Sequence, residues 1–505
     1  MGLGEQKQSY KQQESVLNSQ VNKKQLFIGS CFALIATSVA FATVGDVMGS
    51  LKKEFLLTNL DIGYIGGAAL WGFAVSNIIF APLCDTLGMR FLIRLAFVGH
   101  VIGVLMMIFA IGFPMLFAGA LVIAMANGLV EAACNPLVAT LFPDDKAVKL
   151  NQFHVWFPGG AVIGGLGSYF LTQMGIGNWQ IKLLLILVFT LIYGYMLLTK
   201  LFPDTEGVQS GVSLKESFKA TLLNPFFLLM LFCMGLTASI ELGPNRWVPA
   251  VLQAGGIPGI LVLVWISGLM AVMRYYAKGT IGKLSPTIIL LLSSIVSGAG
   301  LLWLSFAETT VMAFISATVF AIGVSYFWPT MLGYVNERIP KSGALGLGLM
   351  GGMGMAVVGL ITSPQMGNVA DYYAETKLPY QQTQAVLASS VEELPILAEQ
   401  TKVTDFDANR AVIKAKTALK SFDDNNETLS PLETMNALRA IIDTGGDVAY
   451  VREATAILGR ADNYGGRVSF RYVVPVSLLL TIIFGALFWR DRKYGGYAKE
   501  QLNRR

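Results

Sequence analysis

The chain has 505 residues, 54% hydrophobic and 14% charged, with 53 glycines, a mean hydropathy of +0.58 and a formal charge of +5. That composition excludes an ordinary soluble domain, gives no ground for a nucleic-acid partner and points to an integral membrane protein. No Walker A motif, HExxH zinc helix or GxSxG elbow occurs, so neither ATP hydrolysis nor an intramembrane hydrolase is indicated, and no cofactor or metal is expected.

Residues 1–24 are polar and rich in Gln, Lys and Ser, unlike a cleaved signal peptide, and are expected to be a cytosolic tail. A bilayer-spanning helix needs about 20 mainly apolar residues. Apolar runs at about 25–48, 62–83, 91–111, 115–142, 153–174, 180–201, 224–254, 258–276, 286–306, 310–335, 343–369 and 469–489 predict twelve spans. With the amino terminus inside, 22 Lys and Arg fall in the short cytosolic segments and tails, against Lys52, Lys53 and Lys182 outside. That bias places both termini in the cytosol and the spans in a cell (inner) membrane.

The predicted fold is therefore all-α, two six-helix bundles at 25–201 and 224–489 joined by a cytosolic linker at 202–223, with a cytosolic tail at 490–505. A weak internal echo supports two related halves. Asn135-Pro136 is followed 23 residues after Pro136 by Gly159-Gly160, and Trp328-Pro329 is followed 22 residues after Pro329 by Gly351-Gly352. The glycine-rich runs predict close helix packing, with or without sliding.

Residues 371–466 carry 15 of the 32 acidic residues against 9 Lys and Arg, a net charge of 9 − 15 = −6. This segment is expected to be an extracytoplasmic insert of three or four short helices, with a capping box at Ser430-Pro431-Leu432-Glu433 and amphipathic runs at 409–422 and 448–458. It reads as a passive spacer or as a lid or partner-docking surface. The Asn426-Glu427-Thr428 sequon matters only in a glycosylating pathway.

Ionisable residues inside spans are costly and tend to mark solute or proton pathways. Asp46, Glu131, His154, Glu241 and Arg246 stand out. Asp46 and Glu131 have no basic neighbour in sequence, which suits a proton carrier; structural hydrogen bonding between helices is the competing reading. Glu241 and Arg246, separated by Gly243-Pro244, pair with each other or across a cavity, with Pro244 expected to kink its span. His154 can donate and accept at once, as hydroxylated solutes require, whereas His100 reads as a packing residue. Trp156, Trp247, Tyr326, Phe327 and Trp328 offer faces for sugar rings, membrane anchoring being the alternative for Trp247. Asn135, Gln152, His154, Trp156, Glu241, Asn245, Arg246 and Trp328 form the expected substrate site, with Asp46 and Glu131 as proton-coupling residues. Cys31, Cys84, Cys134 and Cys233 read as small apolar fillers.

The stretch PLCDTLGMR, Pro82 to Arg90, resembles the G-x-L-(A/S)-D-R-x-G-R-(R/K) gate motif of the major facilitator superfamily, keeping Leu83, Asp85, Gly88 and Arg90. The resemblance implies that Asp85 and Arg90 help latch the cytosolic side. GDVMGSLKKEF around Asp46, VEAACNP around Glu131 and KLNQFHVWFPGGAVIGG from Lys149 to Gly165 are similar to the fucose:proton symporter family. In that family an acid in span one and a glutamate in an LExxAN stretch of span four are implicated in proton coupling and sugar binding. The matching positions are Asp46 and Glu131, with Asn135 at the cavity asparagine and His154 where a glutamine is usual. In the second half Arg274, Leu284, Pro286 and Leu290 fit a sugar-permease R…(F/L)xP…L pattern. The expected function is proton-coupled symport of a small polar solute, a monosaccharide or related sugar, by a monomer in the bilayer. The rivals are a proton-driven exporter or antiporter, and a transport-dead sensor that binds an outside partner through 371–466.

Overall fold

The computed structural model describes residues 21–500 except 56, 58, 282, 401–404, 425–430 and 446–447, and the regular structure among them is helical. The amino-terminal segment to residue 20, Ser430 of the expected capping box, the Asn426 sequon and residues 501–505 lie outside the described residues. Ten described helical stretches are long and apolar enough to cross a membrane.

The first group comprises α1 (Lys23–Glu54), α2 (Asn59–Phe80), α3 (Met89–Ile108), α4 (Phe113–Leu141), α5 (Lys146–His154), α6 (Trp156–Gln173) and α7 (Trp179–Leu197). Local chemistry sets several starts. Asn22 caps α1 by accepting from the Gln25 amide at 3.0 Å, and proline in the first turn opens α4, where its missing N–H is no loss. Inside the group α1 packs on α6 and α7, α2 on α4, and α3 on α4 and α7. Gly160 lets α6 approach α1 closely: a Cβ there would stand 2.9 Å from Ser38 Cβ, and the Ser38 hydroxyl donates to the Phe157 carbonyl.

The second group comprises α8 (Pro225–Ala254), α9 (Gly259–Tyr275), α10 (Pro286–Leu304), α11 (Thr310–Val324), α12 (Phe327–Arg338), α13 (Gly343–Val357) and α14 (Ser363–Glu375). A π-helical turn at Val358–Thr362 separates the last two. Proline in the first turn with a capping Asn224 or Ser285 opens α8 and α10. Pro244 and Pro249 lie within α8, which runs on through both.

The groups meet where α2 abuts α13, α5 abuts α12, and α6 abuts α9. Gly352 brings α13 against α2, since a Cβ there would lie 2.8 Å from Ile78 Cγ1 and 3.3 Å from the Ala74 carbonyl oxygen. At the helix ends that carry most of the basic residues, Asn151 Nδ2 donates to Thr330 Oγ1 at 3.5 Å and Lys499 Nζ to the Asp144 carbonyl at 3.3 Å. Gly45 and Gly49 late in α1, and Gly165 and Gly268 within α6 and α9, face open space. The linker folds onto the basic end: Lys146 Nζ meets Glu206 Oε2 at 2.5 Å, and the helix Leu214–Leu222 starts with a Ser213/Glu216 capping box.

Beyond α14 the chain forms α15 (Tyr380–Gln400), α16 (Asp405–Asp424) and α17 (Pro431–Asp443), which share a core of Leu387, Leu394, Ala411, Leu438 and Ile441. The expected short helix at 448–458 and the expected span at 469–489 are one continuous helix, α18 (Ala449–Lys493). Its first turns pack Tyr450, Ala454 and Leu458 into the insert core, and its last half packs Phe470, Leu480 and Phe484 into the membrane bundle. Lys52, at the end of α1, reaches Asp443 of α17 at 3.3 Å.

Candidate functional site

Glu131 lies in the middle of α4 and is 2% exposed. One turn on, Asn135 donates from Nδ2 to Glu131 Oε2 at 3.1 Å, so its Oδ1 is left to accept. His154, the last residue of α5, places Nε2 3.0 Å from that Oδ1. The ring proton of this contact therefore sits on Nε2, and the order of donation runs His154 to Asn135 to Glu131.

Arg274, at the last turn of α9, faces this chain from the second group and is 1% exposed. Its fork is fully used: Nη2 donates to Glu241 Oε1 at 2.8 Å, Nε to the Ser325 carbonyl at 2.6 Å and Nη1 to the His154 carbonyl at 3.1 Å. This guanidinium ties α9, α8, the end of α11 and α5 at one point. Glu241 is thus neutralised by a buried partner, whereas Glu131 makes no ion pair among the described residues. Glu131, His154, Phe157, Glu241, Leu242, Arg274, Trp328 and Met355 bound a common space. As the side chains stand, the space has room for about one water, ringed by a carboxylate, an imidazole and an indole that can hydrogen-bond or stack.

Several sequence expectations change here. Asp46 was expected to lack a basic partner; Lys182 Nζ lies 2.6 Å from its Oδ2, with the Ser168 hydroxyl also donating at 2.6 Å. Its side chain is 41% exposed, so it is neither unpaired nor buried. Of the two alternatives for Glu241, pairing across the cavity is the one found: its partner is Arg274, and Arg246 is exposed. Arg274 itself, counted among the loop cations, is a buried part of the site. Gln152 accepts from Lys149 Nζ at 2.9 Å, and Trp156 packs into the walls of the first group; neither borders the common space. The Asn245 side-chain oxygen is buried without a hydrogen-bond partner. Trp328 does border the space. His100 is a packing residue as expected, held between the Tyr193 hydroxyl at 2.9 Å and Asn127 Oδ1 at 2.8 Å. The four cysteines are buried and free.

Residues 26–363 match the model of the Major Facilitator Superfamily. The chain belongs to the major facilitator superfamily. Among solved structures, this facilitator is similar to FucP, the fucose:proton symporter of E. coli, in its outward conformation: 20% identity, TM-score 0.56, covering 68% of this chain and 92% of that one. It is similar to the proton:xylose symporter XylE of E. coli at 12% identity and TM-score 0.57, covering 68% and 89%. These identities carry the fold. A curated relative, "D-xylose-proton symporter-like 1" of Arabidopsis thaliana, is 27% identical over 163 residues, and the match spans 32% of this chain and 32% of that protein.

The superfamily's gate motif takes its own form in this facilitator. Gly88 has φ +82°, a left-handed conformation that a side chain would strain, and it lets the chain turn from Cys84–Leu87 into α3. Asp85 and Arg90 do not pair with each other. Asp85 Oδ1 accepts from the Thr205 hydroxyl of the linker at 2.6 Å, and Arg90 donates to the Leu198 carbonyl at the end of α7 at 3.3 Å. Burial raises the Asp85 pKa above its ordinary value, with the Thr205 hydrogen bond opposing that rise. The motif thus fastens the linker to the first bundle.

Proposed function

We propose that this facilitator is a proton-coupled symporter of a small hydroxylated solute, a monosaccharide or related sugar, working by alternating access. The observation that carries the reading is Glu131: a buried carboxylate with no ion pair among the described residues, hydrogen-bonded through Asn135 to His154, beside an Arg274–Glu241 pair that is already neutral. A proton on Glu131 changes the charge of the cavity by one unit without disturbing that pair. A proton that binds one cavity state better than the other shifts their balance, which is what coupling requires. The sugar class draws support from the indole of Trp328 and the imidazole of His154 on the same space, and from the resemblance of the fold to two sugar:proton symporters.

The spans are read as twelve, adding α6 and α9 to the ten long apolar stretches. The division is six and six, with 371–466 on the extracytoplasmic face. Both ends lie in the cytosol of an inner membrane, where the basic helix ends belong. On that topology the seam closed by Asn151, Thr330 and Lys499 is the cytosolic one, and the cavity opens outward. Asp46, exposed and paired with Lys182, is assigned to the cavity mouth, which leaves Glu131 as the principal proton site.

The test is uptake of labelled sugars into proteoliposomes under an imposed pH gradient. Wild type accumulates substrate when the outside is acid, and Glu131→Gln loses that accumulation by about tenfold or more while retaining exchange of substrate for substrate. Full proton-driven accumulation by Glu131→Gln would refute the coupling assignment; gradient-driven efflux alone would convert the symporter into an exporter.

A further inference from the structure

Asn77 lies on α2 where that helix meets α13, and its side chain is 1% exposed. Neither its Oδ1 nor its Nδ2 has a hydrogen-bond partner. A buried amide loses its hydration on both sides, so an amide with two unmatched atoms at the junction of two helices calls for a chemical reason. Its position supplies one. A Cβ built on Gly351 of α13 would stand 3.5 Å from Asn77 Nδ2, 3.6 Å from Glu131 Oε2 and 3.8 Å from Trp328 Cζ2. Three side chains from three helices therefore converge on one point beside a glycine. Glu241 Oε2 is buried and unmatched in the same neighbourhood.

We infer that Asn77 is a ligand-binding residue that takes two adjacent hydroxyls of the solute. A carboxamide matches a vicinal diol: Oδ1 accepts from one hydroxyl while Nδ2 donates to the oxygen of the next. The point beside Gly351 has space for about one Cβ in this conformation, so the ligand enters when the bundles part, with the Trp328 ring against its apolar side. This assignment rests on the sugar reading above and adds to it the contact on α2 and the diol as the recognised unit. It also gives the ligand a mechanical role. Asn77 and Glu131 belong to one bundle and Trp328 and Gly351 to the other, so a diol held among them bridges the bundles and favours the state in which they are close.

The experiment uses the full-length purified protein, with binding of a monosaccharide and of its single-deoxy derivatives followed by thermal shift and calorimetry. Wild type is expected to lose at least about tenfold in affinity for the two derivatives that lack one or other hydroxyl of a particular adjacent pair. Asn77→Leu is expected to weaken the parent sugar by a similar factor and to bind those two derivatives as well as it binds the parent. Gly351→Val, which intrudes from the opposite helix without altering Asn77, is expected to show the same lost discrimination and serves if Asn77→Leu does not fold. Unchanged affinity in both variants overturns the assignment. So does a uniform loss in which the discrimination survives, since that marks a structural amide satisfied by water. Wild type that binds no monosaccharide overturns the sugar reading and the diol with it; wild type that binds, with discrimination unaffected by the variants, overturns the diol alone.

Discussion

At the scale of single residues the centre of this protein is one guanidinium. Arg274 satisfies Glu241, Ser325 and His154 together, so its removal strands a buried carboxylate and two carbonyls. Breaking a buried ion pair by deleting one partner costs about 3–5 kcal/mol, whereas replacing both partners with apolar residues is often near neutral. Arg274→Met is therefore expected to lower the thermal stability of the detergent-solubilised protein markedly, and Arg274→Met with Glu241→Met to recover most of it. Both variants are expected to be transport-inactive, and equal unfolding temperatures for the two would contradict the pairing. Glu131, Asn135, His154 and Trp328 were legible because polar groups in apolar runs are conspicuous. Arg274 was picked out only through its fit to a sugar-permease pattern and not as a buried ion partner, because it ends the apolar run of α9 at a position where a loop cation is the default reading. Asp46 was misread for a related reason: its partner, Lys182, lies 136 residues away, and no local pattern encodes such a pairing.

At the scale of helices, glycines set which surfaces come together. Gly352 stands against Ile78 and Ala74 of α2, while Gly165 on α6 faces open space. Gly352→Val is expected to cost about 1–3 kcal/mol through overpacking and to cut transport several-fold, because α2 and α13 cannot then close. Gly165→Val is the matched control and should leave transport within twofold of wild type. The helix starts and most apolar spans were readable from caps, prolines and hydropathy. The unity of α18 was not. Its hydropathy changes near residue 467, where the surroundings pass from the insert to the bundle, but the backbone hydrogen bonding continues through the change. Hydropathy reports what a helix lies against, and not where it stops.

At the scale of the whole molecule, the basic end is closed partly by the last described residues of the chain. Tyr497 donates to Glu337 Oε2 at 2.6 Å, and Lys499 lies 3.0 Å from Glu337 Oε1 while also reaching the Asp144 carbonyl of the other bundle. Glu337 is itself 3% exposed, so the contact is more than a surface pairing. Truncation before Tyr497 is expected to leave folding intact and to speed maleimide labelling of an Ala147→Cys probe at the seam by several-fold. Labelling at the wild-type rate would show that the tail does not hold the bundles together. The exposed pair Lys52–Asp443, between α1 and α17, is a different matter. Exposed pairs contribute about 0–1 kcal/mol, so Asp443→Asn should change neither stability nor flux measurably. That the tail crosses between the two helix groups was not legible, since a contact made by one basic and one aromatic residue leaves no pattern.

The continuity of α18 carries a mechanical consequence. Forty-five residues at about 1.5 Å each make a rod of about 68 Å, anchored at one end in the second bundle and at the other in the core of the insert. Such a rod works as a pointer: a few degrees of tilt at the bundle become a displacement of ångströms at its tip. A fluorophore pair on Arg452 and at the end of α1 that meets α17 should therefore register each transport cycle with no label near the cavity, and an antibody fragment that grips α15 to α17 should slow that cycle.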